Sequence, residues 1–159
     1  KFNCYPVFIP REKLKIFYQG FCKRVLWPAF HMNASVTDEG KRMKNFDYSA
    51  WEVYKEVNFM FAAKTVAAYQ IGELIWVHDY HLMVLPAELR SKIPGAKIGF
   101  FLHIPWPSSE TYRELPVRDE ILRGVLSSSL LGFHLFDYAR HFLSSCRRML
   151  KLDHEARRG

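Results

Sequence analysis

Residues 74–103 read LIWVHDYHLMVLPAELRSKIPGAKIGFFLH. Two short apolar runs in this stretch, Leu74–Val77 and Lys97–Leu102, are typical of strands that are buried on both faces. The segment between them, from about Met83 to Ser91, has the pattern of a helix. A strand, a helix and a second strand in this order predict a parallel pair of strands joined by a helical crossover.

The same alternation continues toward the C-terminus. Pro116 is favourable at the first position of a helix that extends to about Leu126. Leu130–Phe133 is a third apolar run, and Phe136–Leu150 has a helical pattern. Strands that alternate with helices predict an α/β fold with a doubly wound parallel sheet. The 159 residues are enough for one domain and too few for two good ones.

Two helices are predicted before the first strand. One covers residues 12–30, and Pro28 is expected to break or kink its end. The other covers residues 50–69, with Ser49 as its expected cap. The polar residues 32–47 between the two helices are interpreted as a loop. The apolar side chains at helical spacing are Leu14, Phe17, Phe21, Val25 and Leu26 in the first helix and Trp51, Tyr54, Val57, Phe61 and Val66 in the second.

Each predicted strand is followed at once by polar and aromatic residues. These clusters are residues 78–81 (HDYH), residues 103–109 (HIPWPSS) and residues 134–138 (HLFDY). Because ligands bind outside the carboxyl ends of the strands in such sheets, the three clusters are expected to face one crevice. Asp79 could accept hydrogen bonds from sugar hydroxyls or act as a base. His103 could donate a hydrogen bond to a substrate oxygen or carry a proton near neutral pH.

Each of these residues also has a structural interpretation. Asp79 could cap the helix that follows it, and His103 could bond to a nearby carbonyl. The histidines of the clusters together with Asp79 could form a zinc site, although the chain has no HExxH motif. Tyr18 and Trp27 have flat apolar faces with one polar group, which suits sugars, but the same residues could pack in the core.

The composition favours anionic partners without choosing among them. The 23 Lys and Arg residues against 16 Asp and Glu give a net charge of +7. The arginines of the second half are interpreted mainly as a solvated helix surface, and no P-loop or GxGxxG cradle is present. Aromatic residues lie mainly in apolar runs, which disfavours nucleic-acid binding, and no run approaches the roughly 18 residues that cross a bilayer. Three widely spaced cysteines favour a reducing compartment, the cytoplasm.

Five stretches carry a close family resemblance. They are Leu26–His31 (LWPAFH), Ile75–Met83 (IWVHDYHLM), Lys97–Glu110 (KIGFFLHIPWPSSE), Leu115–Arg118 (LPVR) and Leu131–Leu150 (LGFHLFDYARHFLSSCRRML). In order and spacing, the chain resembles the UDP-forming alpha,alpha-trehalose-phosphate synthases of glycosyltransferase family 20. The resemblance covers nearly the whole chain, and motifs of this length are highly specific.

The resemblance implies the GT-B arrangement, in which two Rossmann-like domains face each other across a cleft. Residues 1–159 would form most of the N-terminal, acceptor-side domain, a parallel sheet with flanking helices. The N-terminal Gly-rich segment and the C-terminal donor-binding domain of the family would lie outside this chain. The isolated chain is therefore expected to be inactive, since the reaction depends on holding both substrates.

The resemblance also implies a reaction and its residues. The family transfers glucose from UDP-glucose to glucose 6-phosphate with retention, forming trehalose 6-phosphate, and needs neither a metal nor a covalent nucleophile. Tyr18 and Trp27 would line the glucose 6-phosphate pocket, Asp79 would bind acceptor hydroxyls, and His103 would contact the donor glucose. A non-catalytic relative that senses sugar phosphates or assembles with active synthase subunits is the alternative. The expected partners are the two substrates and related synthase or phosphatase subunits, with no nucleic acid and no membrane.

Overall fold

The computed structural model describes residues 4–31 and 46–155. Three strands and their helices follow one another along these residues in the order predicted. The elements are α1 (Arg11–Leu14), a π-helix (Lys15–Leu26), α2 (Trp27–His31), α3 (Tyr48–Ala68), β1 (Leu74–His78), a 3-10 turn (Tyr80–Leu82), α4 (Leu85–Lys92), β2 (Lys97–Leu102), α5 (Ser109–Tyr112), α6 (Arg118–Leu126), β3 (Leu130–Phe133) and α7 (Phe136–Leu150).

The three strands form one parallel sheet in the order β1-β2-β3. Val77 is in register with Phe100, and Phe101 is in register with Gly132. The predicted parallel sheet is therefore confirmed. The bounds of β2 and β3 agree with the apolar runs that predicted them, and those of α7 agree with the predicted helix. Because the strands are parallel, their carboxyl ends lie along one edge of the sheet.

One face of the sheet contributes to the hydrophobic core and the other does not. Ile98 and Phe100 of β2 are buried among the apolar side chains of the helices. On the opposite face, Leu74 is 66% exposed, Trp76 62% and Leu130 74%. The prediction that the strands are buried on both faces is thus wrong for the described residues, because the described helices pack against one face.

Two aromatic rings on the open face lie across glycines of the next strand. A Cβ atom added at Gly132 would come within 2.4 Å of the Phe101 ring, and one added at Gly99 would lie 3.4 Å from Trp76. The Phe101 ring therefore occupies the space where a side chain at position 132 would stand, whereas the Trp76 ring would be in van der Waals contact with a Cβ atom at position 99. We refer to Trp76, Gly99, Phe101 and Gly132 as the ring–glycine pairs.

The first predicted helix is present, but its winding differs from the expected one. Most of it, from Lys15 to Leu26, is a π-helix with hydrogen bonds from residue i to i+5. The buried Phe17, Phe21 and Leu26 are spaced four and five residues apart, wider than the 3.6 residues of an α-turn. Pro28 does not end the helical segment, which continues to His31.

The second helix, α3, begins earlier than predicted. Asp47, not Ser49, is its cap, because its Oδ1 atom accepts hydrogen bonds from the backbone N–H groups of Ser49 and Ala50. The predicted stripe is confirmed, with the side chains of Trp51 and Tyr54 buried. Of the predicted loop, residues 32–45 lie outside the described residues.

Two other helix starts differ from prediction. Helix α6 begins at Arg118, because Pro116 belongs to a turn in which the Arg118 N–H donates to the carbonyl of Leu115. Helix α4 begins at Leu85, after the 3-10 turn that follows β1. That turn and the short helix α5 were not predicted. Among the described residues, no helix is both long and apolar enough to cross a membrane.

Candidate functional site

Asp79 follows β1 directly and has a strained backbone. Its φ of 71° and ψ of 172° lie in a region that is almost exclusive to glycine and costs about 1–3 kcal/mol for other residues. Its N–H donates to the carbonyl of Phe101 at 2.8 Å, and its own carbonyl accepts from the N–H of Leu82 at 3.2 Å. Such strain persists only where the surroundings impose it, and it marks functional sites more often than ordinary turns.

The carboxylate of Asp79 turns toward the end of the neighbouring strand. Its Oδ1 atom accepts a hydrogen bond from the backbone N–H of His103 at 3.2 Å, and its Oδ2 atom lies 3.9 Å from Nδ1 of His81. The side chain caps none of the N–H groups of the 3-10 turn that follows it. The capping interpretation of Asp79 is therefore wrong, and the structure joins the two residues that the sequence singled out.

Two buried polar side chains of α3 hold the segment after Asp79. Tyr54 donates its hydroxyl hydrogen to the carbonyl of Tyr80 at 2.8 Å, and the same oxygen accepts from the N–H of Met83 at 3.0 Å. Asn58 donates from Nδ2 to the carbonyl of His81 at 3.1 Å. These bonds satisfy backbone groups that the irregular segment leaves unpaired, and they oppose relaxation of the strained residue.

Histidines from the three strand ends lie side by side. Nδ1 of His78 is 3.1 Å from Nε2 of His103, and the rings of His103 and His134 are 5.4 Å apart. The prediction that the three clusters come together is confirmed. Across residues 4–31 and 46–155, no three His, Cys, Asp or Glu side chains are grouped so that they could hold a metal ion.

The helical segment before the sheet brings two aromatic side chains to this edge. Tyr18 is 40% exposed, and its ring stacks on that of His81 with centroids 5.7 Å apart. Trp27 is partly buried, stacks on His31 at 3.8 Å and lies 5.7 Å from the ring of Tyr80. Tyr18 is therefore not a core residue, whereas Trp27 both packs against the core and borders the candidate site.

Lys23 was missed by the sequence analysis. Its ammonium nitrogen lies 4.3 Å from the centroid of Trp27 and 5.6 Å from that of Tyr18, within the range of cation–π attraction. A hydrogen bond with Tyr80 is the main reason that the pKa of Lys23 is raised, so the side chain is charged at neutral pH. Its spacing of four residues from Trp27 was the available signal.

His81 is held mainly neutral by its surroundings. Burial lowers its pKa, while the nearby charge of Asp79 acts in the opposite direction and that of Lys23 in the same direction. A neutral imidazole offers one hydrogen-bond donor and one acceptor. With Tyr18 on its ring and Asp79 beside it, His81 connects the aromatic side of the site to the acidic side.

Comparison with known protein families assigns this chain to a family. Residues 1–159 match Glycosyltransferase family 20. The chain belongs to glycosyltransferase family 20. Its parallel sheet with flanking helices forms the N-terminal part of the Rossmann-like GT-B fold of that family.

Relatives within family 20 are much longer than this chain. The probable alpha,alpha-trehalose-phosphate synthase [UDP-forming] 10 of Arabidopsis thaliana is 53% identical over 161 residues, covering 100% of this chain and 18% of the relative. The chain thus spans less than a fifth of the length of this curated relative.

Solved structures of other proteins share the fold of this chain. The N-terminal domain of Candida albicans trehalose-6-phosphate phosphatase superposes with a TM-score of 0.84 at 36% identity, over 94% of this chain and 31% of that one. The UDP-forming synthase from Burkholderia xenovorans in complex with glucose-6-phosphate gives a TM-score of 0.76 at 33% identity, over 87% of this chain and 29% of that one.

Three arginines in the second half of this family 20 chain lie in surface ion pairs. Arg113 and Arg148 contact Glu110, and Arg140 contacts Asp137. These pairs are exposed and contribute little to stability. They support the interpretation of a solvated helix surface for these three residues.

Proposed function

We propose that the full-length protein containing this chain is a UDP-forming trehalose-phosphate synthase. It transfers glucose from UDP-glucose to glucose 6-phosphate with retention at the anomeric carbon, forming trehalose 6-phosphate and UDP. The observation that supports this most directly is the junction of Asp79 and His103 at the strand ends, with Tyr18 and Trp27 on the adjoining helical segment. The proposed reaction is taken from the names of the relatives, and the residues at the strand ends are chemically suited to that reaction.

The acceptor glucose 6-phosphate binds at the aromatic side of the site in this proposal. Asp79 accepts hydrogen bonds from acceptor hydroxyls, and Tyr18 and Trp27 border the sugar and its phosphate. Lys23 lies against both aromatic rings and supplies a positive charge for the phosphate group. The strained backbone of Asp79 directs its carboxylate before substrate arrives, which reduces the cost of ordering it.

His103 acts on the donor side. The acceptor hydroxyl attacks the anomeric carbon from the face that the UDP leaves, while the bond to the diphosphate breaks and its oxygen takes the hydroxyl proton. His103 donates a hydrogen bond to the donor glucose next to the reacting centre. In this proposal the protein positions two sugars and stabilises developing charge, and it uses neither a metal nor an organic cofactor, UDP-glucose being a co-substrate.

The alternative is a non-catalytic relative that binds sugar phosphate or synthase subunits. The similarity to the N-terminal domain of a Candida albicans phosphatase supports keeping it, because this fold also occurs in a protein described by another activity. Both proposals use the acceptor side of the site, and they differ in turnover of UDP-glucose. Each places the protein in the cytoplasm, where both substrates are expected.

The test is turnover by the full-length protein. UDP-glucose and glucose 6-phosphate are supplied, and UDP and trehalose 6-phosphate are measured for the wild type and for Asp79→Ala and His103→Ala. Asp153→Ala and His154→Ala are the matched controls, since both side chains are exposed and follow helix α7, away in sequence from the strand ends. Turnover that is lost in the first pair and kept in the second supports the synthase. Binding of glucose 6-phosphate without any turnover in the wild type supports the regulatory alternative.

A further inference from the structure

The side chains of His78 and His103 contact each other across two strands. His78 is the last residue of β1 and His103 directly follows β2. Their nitrogens, Nδ1 of His78 and Nε2 of His103, are 3.1 Å apart, a hydrogen-bond distance. His78 has no part in the proposed function so far, and among the described residues its contact with the site is through His103.

This contact constrains the protons of both rings. A hydrogen bond between two neutral imidazoles needs one proton between the two nitrogens, so one ring donates and the other accepts. If Nε2 of His103 accepts, its own proton resides on Nδ1, which then donates to whatever lies beyond. If Nε2 of His103 donates, Nδ1 carries no proton and can only accept.

We propose that His78 is a positioning residue that donates from Nδ1 to Nε2 of His103 and thereby fixes His103 as an Nδ1–H donor. The direction of the bond rests on the proposed function, in which His103 donates to the donor glucose. With Nε2 occupied by His78, Nδ1 is the nitrogen left for substrate. Because the tautomer is fixed, the proton already resides on Nδ1, and His103 can donate to substrate without first changing its tautomer.

Neighbouring rings hold the two imidazoles in place. Trp76 lies 4.8 Å from the His78 ring, and Phe101 lies 4.8 Å from the His103 ring. Both belong to the ring–glycine pairs, so they are themselves seated over the adjacent strand. Aromatic side chains on the open face of the sheet thus contact both histidine rings.

Three substitutions at position 78 in the full-length protein separate the possibilities. His78→Leu removes the bond and is expected to lower kcat about tenfold, the size of one lost hydrogen bond, with both KM values within about twofold. His78→Asn can place an N–H where Nδ1 lies and is expected to keep kcat within about threefold. His78→Asp can only accept, which forces the other tautomer of His103, so it is expected to lower kcat at least as much as His78→Leu.

Several outcomes overturn the proposal. Wild-type kcat in His78→Leu shows that the bond has no role, and activity kept in His78→Asp shows that His103 donates instead. A rise in KM with unchanged kcat assigns His78 to substrate binding. An equal loss in His134→Asp, which adds the same charge next to His103 with no hydrogen bond to it among the described contacts, assigns the effect to charge.

A second measurement is independent of turnover. Long-range proton–nitrogen NMR correlations on the full-length protein with ¹⁵N-labelled histidine report the tautomer of His103, assigned through His103→Gln. The expected result is a proton on Nδ1 in the wild type and in His78→Asn, and loss of this preference in His78→Leu. A proton on Nε2 in the wild type overturns the inference. Absence of turnover with the expected tautomer refutes the proposed function while leaving the pairing of the histidines intact.

Discussion

Asp79 adopts a φ of 71° while its carboxylate accepts a hydrogen bond from the backbone N–H of His103, 3.2 Å away on the next strand end. The unusual backbone angle and the cross-strand bond occur in the same residue. The bond ties the carboxylate to the backbone of a second candidate residue, so their separation depends on the register of the sheet. Displacing either strand end would alter both.

The strain at Asp79 predicts that a glycine variant is more stable than an alanine variant, the reverse of the usual order. Both Asp79→Gly and Asp79→Ala remove the carboxylate, but only glycine adopts this backbone angle without strain. Asp79→Gly is expected to be more stable than Asp79→Ala by about 1 kcal/mol, after allowing for the greater freedom of glycine in the unfolded chain. Urea unfolding of the two full-length variants measures the difference. A more stable Asp79→Ala would show that the backbone there is unstrained.

Removing the hydroxyl of Tyr54 is expected to destabilise the protein. In Tyr54→Phe the buried N–H of Met83 and the carbonyl of Tyr80 lose their partner, which costs about 1–3 kcal/mol. Tyr48→Phe is the control, because the Tyr48 side chain is exposed, and it is expected to change stability by less than about 0.5 kcal/mol. Hydrogen exchange of the Tyr80–Leu82 turn should speed up in the first variant alone.

Gly124 of α6 packs directly against the backbone that follows the 3-10 turn. A Cβ atom there would come within 2.6 Å of the carbonyl oxygen of Met83 and 2.8 Å of Cα of Val84. Since backbone atoms must move, Gly124→Ala is expected to cost about 1–3 kcal/mol of stability. Gly95→Ala, where an added Cβ meets nothing within 4 Å, should be neutral or slightly stabilising. Thermal unfolding that shifts equally in both variants would contradict the packing described.

The pKa of His81 predicts a pH-dependent contribution to stability. Burial lowers this pKa in the folded protein below its ordinary value of about 6.5, so below about pH 6.5 the unfolded chain binds the proton more readily. The contribution is present at neutral pH and is lost as the pH falls through the folded pKa. The free energy of unfolding of the wild type should therefore fall more between pH 7.5 and 5.5 than that of His81→Gln. A larger fall in the variant would contradict the statement that burial lowers the pKa of His81.

Replacing Lys23 tests the charge placed next to the aromatic rings. On the proposed function, Lys23→Gln is expected to raise KM for glucose 6-phosphate about tenfold, because a charged hydrogen bond to phosphate is lost, with KM for UDP-glucose little changed. Arg24→Gln removes the same charge from the next residue, which is exposed, and serves as the control. Equal effects of the two variants would show that net charge, rather than the position of Lys23, is responsible.

The strand positions were predictable because their signal is local. Each apolar run is short, is followed by polar residues and alternates with a helix, and these properties are independent of distant parts of the chain. The same reasoning placed Asp79 and His103 at neighbouring strand ends. The outcome confirms that topology alone can bring candidate residues together.

The remaining features depend on tertiary contacts that no local pattern reports. Asn58 has no sequence pattern that singles it out, yet it is fully buried and bonds to the carbonyl of His81. The backbone angle of Asp79 is imposed by the neighbouring strand and by α3, and aspartate has no local preference for it. The exposure of Trp76 depends on which face of the sheet the helices cover, and the sequence around Trp76 does not indicate that face.

The ring–glycine pairs have a consequence for how this sheet can diverge between related proteins. Phe101 occupies the volume that a side chain at position 132 would need, so neither position can enlarge unless the other shrinks. Substitutions at these two sites should therefore appear jointly across homologues, as compensated exchanges rather than as independent drift. An alignment in which bulky residues occur at both positions of the same protein would imply a different arrangement of the two strands.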